Sequence, residues 1–146
     1  MDEWIRLYVN QELTRAGYQE AAPVAQASSG EASIFAFETA RNGVQALSAF
    51  AFETLESGER LPTGRTILPY PTASTQPAHA RPDPWLVFET WSDLDPEYQV
   101  IVGRLRDRRA TRCSAVSPVS TEQLPVHDGI VLGWVDTSKQ IIYRIS

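Results

Sequence analysis

The clearest periodic signal lies at the start of the chain. Over residues 2–17, Trp4, Ile5, Tyr8, Val9, Leu13 and Ala16 recur at three- and four-residue spacing and share one helical face. Asp2 stands at the N-cap position and Gly17 just past the end. A second helical template covers 42–58. Asn42 is placed as a cap, Gln45 sits at the capping-box position, and Val44, Leu47, Ala51 and Leu55 fall on one face before Gly58. A third covers 96–110. Asp95-Pro96-Glu97 has the composition of a helix start, and Tyr98, Ile101, Val102 and Leu105 follow at i, i+3, i+4 and i+7. The β-branched run Val100-Ile101-Val102 supports a rival strand over 98–105, and the helix is preferred.

Between these, 33–39, 85–91, 112–119, 129–135 and 140–145 read as short strands, with turn residues Asp136-Thr137-Ser138-Lys139 between the last two. For 33–39 a short helix is the rival, and Asn42-Gly43 also suits a hairpin turn. Residues 18–30 read as an irregular connection. Residues 61–84 hold Pro62, Pro69, Pro71, Pro77, Pro82 and Pro84, a density that excludes a helix and blocks an interior strand. They read as a long loop that could divide the chain into two subdomains. The pattern predicts one α+β domain over residues 1–146: an N-terminal amphipathic helix, two further helices, and a mainly antiparallel sheet built largely from the C-terminal half.

A short internal similarity crosses these boundaries. Ser33-Ile-Phe-Ala-Phe-Glu-Thr-Ala-Arg-Asn-Gly43 matches Ser48-Ala-Phe-Ala-Phe-Glu-Thr-Leu-Glu-Ser-Gly58 at seven of eleven positions. Two copies are too few for a solenoid, which needs at least about three stacked units.

Composition narrows the functional classes. With 146 residues, 42% of them apolar and 21% charged, the chain can bury a core without a metal or disulfide staple. No run approaches the roughly 18 apolar residues of a membrane span, and the acidic start lacks the features of a secretory signal. With a single cysteine, Cys113, these features point to the cytoplasm. Twelve of the thirteen cations are arginine, which together with the high alanine content suggests a GC-rich bacterial or phage genome.

Charge is uneven. Residues 1–60 carry four arginines against nine acidic residues, whereas Arg104, Arg106, Arg108, Arg109 and Arg112 crowd around a single Asp107. On a helix those guanidiniums would fan around its C-terminal half, where the ordinary role is to complement the macrodipole. The alternatives are recognition of an acidic protein surface or of phosphates. The overall net charge of −5 disfavours nucleic acid.

Support for catalysis is thin. Cys113 followed by His127 and Asp128 has the Cys-then-His order of some thiol hydrolases, with no local motif around it. His79 and His127 have no ligand pair at helix or knuckle spacing, so no metal site and no cofactor is expected. The stretch Gly58 to Thr66 fails as a phosphate loop because its glycines are misspaced and Arg65 stands where lysine is needed. Glu38, Glu53 and Glu89 each sit between Phe and Thr, and nothing in the sequence makes them converge. Tyr70, Trp85 and Trp91 flank the Pro-rich segment, where they are either core or a binding edge.

The reading that remains is a non-enzymatic protein–protein interaction component: an adaptor, an immunity-type inhibitor or a small assembly subunit. Its candidate binding residues are the five arginines with Tyr70, Trp85 and Trp91. A small hydrolase or transferase using Cys113 and His127 is the first alternative, and anion or nucleic-acid binding through Arg104 to Arg112 the second.

Overall fold

A computed structural model of the chain describes residues 2–71, 84–92, 98–136 and 141–146. Its elements are α1 (Glu3–Arg15), β1 (Ala22–Ser29), β2 (Ala32–Arg41), β3 (Val44–Thr54), β4 (Arg60–Pro69), β5 (Trp85–Ser92), β6 (Tyr98–Leu105), β7 (Cys113–Val116), β8 (Thr121–Leu124), β9 (Val126–His127), β10 (Ile130–Asp136) and β11 (Ile142–Ile145). Among the described residues, one helix and three antiparallel sheets make the protein mostly β, which corrects the α+β expectation with its three helices.

The helix forms where the sequence places it. Asp2 Oδ1 accepts from the Trp4 N–H at 3.0 Å. At the other end the Tyr18 N–H reaches back to the Leu13 carbonyl and the Gly17 N–H to that of Thr14, a Schellman closure that needs Gly17 at φ +84°. Ile5, Val9 and Leu13 are its buried stripe.

Sheet A has the order β1-β2-β3-β4, sheet B β5-β6-β10-β9, and sheet C β11-β7-β8. They stack as layers with three cores. The first holds Ile5, Val9 and Leu13 of α1 with Phe35, Phe37, Phe50 and Phe52 of sheet A. The second lies between sheets A and B: Ile34, Ala36, Leu47, Ala49 and Ala51 against Val100, Val102, Ile130 and Leu132. The third lies between sheets B and C: Ile101, Leu105, Val131 and Val135 against Cys113, Ala115 and Leu124. Central strands are therefore buried on both faces.

That double burial explains the two overturned helices. A strand covered on both faces has no polar alternate positions, so its run is continuously apolar, and such a run satisfies i, i+3, i+4 spacing by chance. Residues 44–54 and 98–105 are strands β3 and β6 for this reason. Asn42 is not a cap: with φ +52°, and with Gly43 at +78°, it forms the two-residue turn of the β2–β3 hairpin. The helix start proposed at 95–97 lies outside the described residues, as does most of the 136–139 turn.

The internal similarity is one strand plus one turn, written twice. Phe35 faces Phe50 across the hairpin, and Gly43 and Gly58 both have positive φ in the turns that follow. Within each Phe-Ala-Phe, both rings point to α1 and the alanine to sheet B.

Two further expectations change. Residues 22–29, read as irregular, are β1. Residues 60–69, read as the start of a long loop, are β4 despite Pro62 and Pro69. Proline is tolerated because β4 is a sheet edge, where a missing N–H breaks no ladder on the open side. Residues 72–83 of the proline-rich stretch lie outside the described residues. No described helix is long and apolar enough to cross a membrane.

Candidate functional site

The arginine cluster is not a unit. Arg104 is the penultimate residue of β6 and points into the layer between sheets A and B, where it is 1% exposed. Arg106, Arg108, Arg109 and Arg112 lie beyond the strand and are exposed. Arg109 is tied to Asp107, Nε to Oδ1 at 3.1 Å, and this hydrogen bond holds the Asp107 carboxyl below its ordinary range. The Arg112 backbone pairs with Ser146. The expected fan of guanidiniums around a helix end is thus replaced by one buried arginine and four separated surface ones.

Arg104 meets two other residues singled out by the sequence. Its Nη1 lies 2.9 Å from Glu38 Oε1, and its guanidinium carbon sits 5.8 Å from the centre of the Tyr70 ring. The Tyr70 hydroxyl donates to the same Glu38 oxygen at 3.4 Å. The ion pair is close but misaligned: among the described residues neither Nη1 nor Nη2 has a hydrogen-bond acceptor. Burial is the largest cause that pushes the Tyr70 phenol up to about 12; the charge of Arg104 opposes it, Glu38 adds to it, and Arg108 opposes it more weakly.

Topology creates this meeting. Glu38 is on β2, Tyr70 follows β4, and Arg104 faces them from β6 across the inter-sheet layer. Arg104 lies opposite Ile130 and Val87, on the same face of β6 as Val100 and Val102. No sequence signal pairs Glu38 with Arg104, since the contact is made across two sheets and 66 positions of chain.

The other candidates are placed elsewhere. Trp91 packs in the second core over Gly64, and Trp85 in the third over Gly103 with Phe88 and Tyr143 around it. Cys113 is fully buried in the third core, where loss of water pushes its thiol up to about 11, away from the thiolate. His127 is exposed on β9 and lines a cleft of about 350 Å³ with Pro23, Val24, Ala25 and Gln26 of β1, while Asp128 occupies the following turn at φ +50°. Glu89 bonds Thr66 and Glu38 bonds Tyr70, so the three Phe-Glu-Thr carboxylates do not converge. Among the described residues no group of three His, Cys, Asp or Glu is placed to hold a metal ion. His79 lies outside them.

One feature escaped the sequence reading altogether: the edge of β1, which pairs with no second strand among the described residues. The Ser-Gly dipeptide at 29–30, followed by the β2 pattern, is the signal that marks its hairpin.

Comparison of the chain with protein-family models, with curated proteins and with solved structures finds no match.

Proposed function

We propose that the protein is a non-enzymatic protein–protein interaction component, an adaptor, inhibitor or assembly subunit, that receives an extended segment of its partner along β1. The observation that carries this is a contrast among the sheet edges. β4 has Pro62, Pro69, Arg60, Arg65 and a bulge opposite Ala51/Phe52. β5 has a bulge and Glu89, β9 is two residues long, and β8 and β11 are four residues each with Glu122 and Arg144. Those are the usual devices against edge-to-edge pairing. β1 runs for eight residues without a charged side chain; Pro23 and the adjoining bulge interrupt one end, and among the described residues His127 borders its Pro23–Gln26 half.

The register defines what β1 offers. Ser29 and Ala32 flank the two-residue turn Gly30-Glu31 and so form a hydrogen-bonded pair. The ladder then alternates, so the N–H and C=O groups of Gln26 and Ser28 point away from β2. An incoming strand would take its main-chain bonds there, the mode of strand addition. Cytoplasmic action fits this reading and is supported by the lone, unbridged Cys113.

Capture of partners from native, nuclease-treated lysate tests it when wild type is compared with Gln26→Pro. The substitution removes an outward N–H that β2 does not use, so circular dichroism should be unchanged while a stoichiometric protein partner is lost. A folded variant that keeps its partner at full yield moves the interface away from β1.

A further inference from the structure

We infer that the cleft between the start of α1 and the β3–β4 turn is a receptor for a single guanidinium group, held on the indole of Trp4 with the Glu59 carboxylate as its counter-ion. The cleft shares no residue with β1 and does not depend on it.

The cleft holds about 480 Å³ and is lined by Asp2, Trp4, Gly58, Glu59 and Arg60. That volume lies within the roughly 300–1,000 Å³ of small-ligand sites. Trp4 is 45% exposed, although its neighbours hold it in place. Tyr8 stacks on it with ring centres 5.5 Å and planes 11° apart, and Phe52 meets it at 72°. An indole fixed in this way loses little freedom when a ligand settles on it. Gly58 leaves its part of the wall open, since a Cβ there would meet nothing within 4 Å. The turn that carries Gly58 and Glu59 is closed by hydrogen bonds from the Gly58 N–H to the Leu55 carbonyl and from the Leu55 N–H to the Glu59 carbonyl.

Charge selects the ligand. Asp2 is engaged at both oxygens: Oδ1 accepts from the Trp4 N–H at 3.0 Å, and Oδ2 pairs with Arg60 Nε at 3.1 Å. The Glu59 carboxylate has no ion-pair or hydrogen-bond partner among the described residues, so the lining carries one unbalanced negative charge. In the first turn of α1 and the β3–β4 turn, Asp2, Glu3, Glu56 and Glu59 outnumber Arg6 and Arg60 by two. Such a field draws cations and repels anions. A guanidinium uses both features of the cleft at once, because its flat face stacks on an indole while its edge offers two parallel N–H groups to a carboxylate. An ammonium is a point charge without that plane. Among the described residues no cation occupies the Trp4 ring; the arginines that lie over aromatic rings are Arg41 on Tyr18 and Arg104 on Tyr70.

Nuclear magnetic resonance of the full chain tests the site, with methylguanidinium chloride as the probe and ionic strength held constant with sodium chloride. The Trp4 indole N–H signal, identified by its loss in Trp4→Phe, should shift saturably together with the Gly58 amide, while the indole signals of Trp85, Trp91 and Trp134 stay in place. Methylammonium chloride should bind more weakly; equal affinity would overturn the assignment of a guanidinium. A capped Gly-Arg-Gly peptide separates the two sources of the group. Tighter binding than methylguanidinium identifies an arginine of a polypeptide, equal binding a free small cation, and either upholds the site. Glu59→Gln alters an exposed turn side chain, should leave the fold intact, and should weaken binding about two- to five-fold, the range of an exposed ion pair. Trp4→Leu should abolish the Gly58 shift, and Glu59→Gln keeps the test valid should that variant not fold. No saturable shift at Trp4 overturns the site, as does undiminished affinity in Glu59→Gln.

Discussion

Trp91 packs so close to Gly64 that a Cβ added to the glycine would stand 2.5 Å from the indole Nε1. The contact joins β5 of sheet B to β4 of sheet A, and it repeats within sheet B, where a Cβ on Gly103 would meet Trp85 Cζ3 at 2.3 Å. In both places the missing side chain makes room for the largest one. Gly64→Ala and Gly103→Ala must each displace an indole, and overpacking of this kind costs about 1–3 kcal/mol. Chemical denaturation should show both variants less stable than wild type by that amount. A ring that could slide aside freely would leave the midpoints unchanged.

The Arg104–Glu38 pair predicts an asymmetric mutant cycle. Removing one partner leaves an uncompensated charge at the edge of the second core, at a cost of about 3–5 kcal/mol for a fully buried pair and less here because Glu38 is partly exposed. Arg104→Met and Glu38→Leu together remove both charges and should recover most of the loss of either single variant. Urea midpoints of the three variants decide it; additive losses would mean that the two side chains act independently.

These features differ in how far the sequence discloses them. The helix was legible because its information is local: Asp2 caps it, Gly17 closes it, and only one face is apolar, so the 3.6-residue period is unmixed. Strands 33–39, 85–91 and 129–135 were legible from composition. The failures at 44–54 and 98–105 share one cause, burial on both faces, which erases the two-residue alternation that marks a strand. β4 was hidden because proline counts against a strand only when both sides of it are paired. Arg104 stood out as one of a cluster of arginines, but its role depends on where β6 places it. Helical numbering put it beside Arg108 on a polar surface; strand alternation turns it inward towards Glu38.

The β2–β3 turn sets the register of the central hairpin, and with it the face to which each Phe-Ala-Phe presents its rings. Asn42 at φ +52° and Gly43 at +78° both occupy the left-handed region. Gly43→Val places a β-branched residue there and should destabilise the fold by about 1–2 kcal/mol. Asn42→Gly removes backbone strain without a packing change, since the turn is exposed, and should be near neutral. Equal losses for the two in thermal melts would show that the turn conformation does not govern the hairpin.

Cys113 and Tyr70 make the fold sensitive to alkali. Burial raises the Cys113 thiol from an ordinary 9.0 to about 11 and, as the largest of several causes, the Tyr70 phenol from 10.0 to about 12. Each is an acid whose folded-state value lies above its unfolded one, so the native protein keeps a proton that the unfolded chain has released. Their contribution is complete below about pH 9 and is lost as pH rises through 11 for Cys113 and 12 for Tyr70. At about 1.4 kcal/mol per pH unit, Cys113 alone accounts for a loss on the order of 2 kcal/mol, with a smaller, solvent-screened share from the half-buried Tyr70. Denaturation midpoints should therefore fall steadily above pH 9, and Cys113→Ala should flatten the first part of that fall. The same burial keeps the thiol silent to an aromatic disulfide reagent at pH 8 until denaturant is added. Rapid labelling of the native protein would show the sulfur to be exposed and active, and would return Cys113 and His127 to consideration as a catalytic pair.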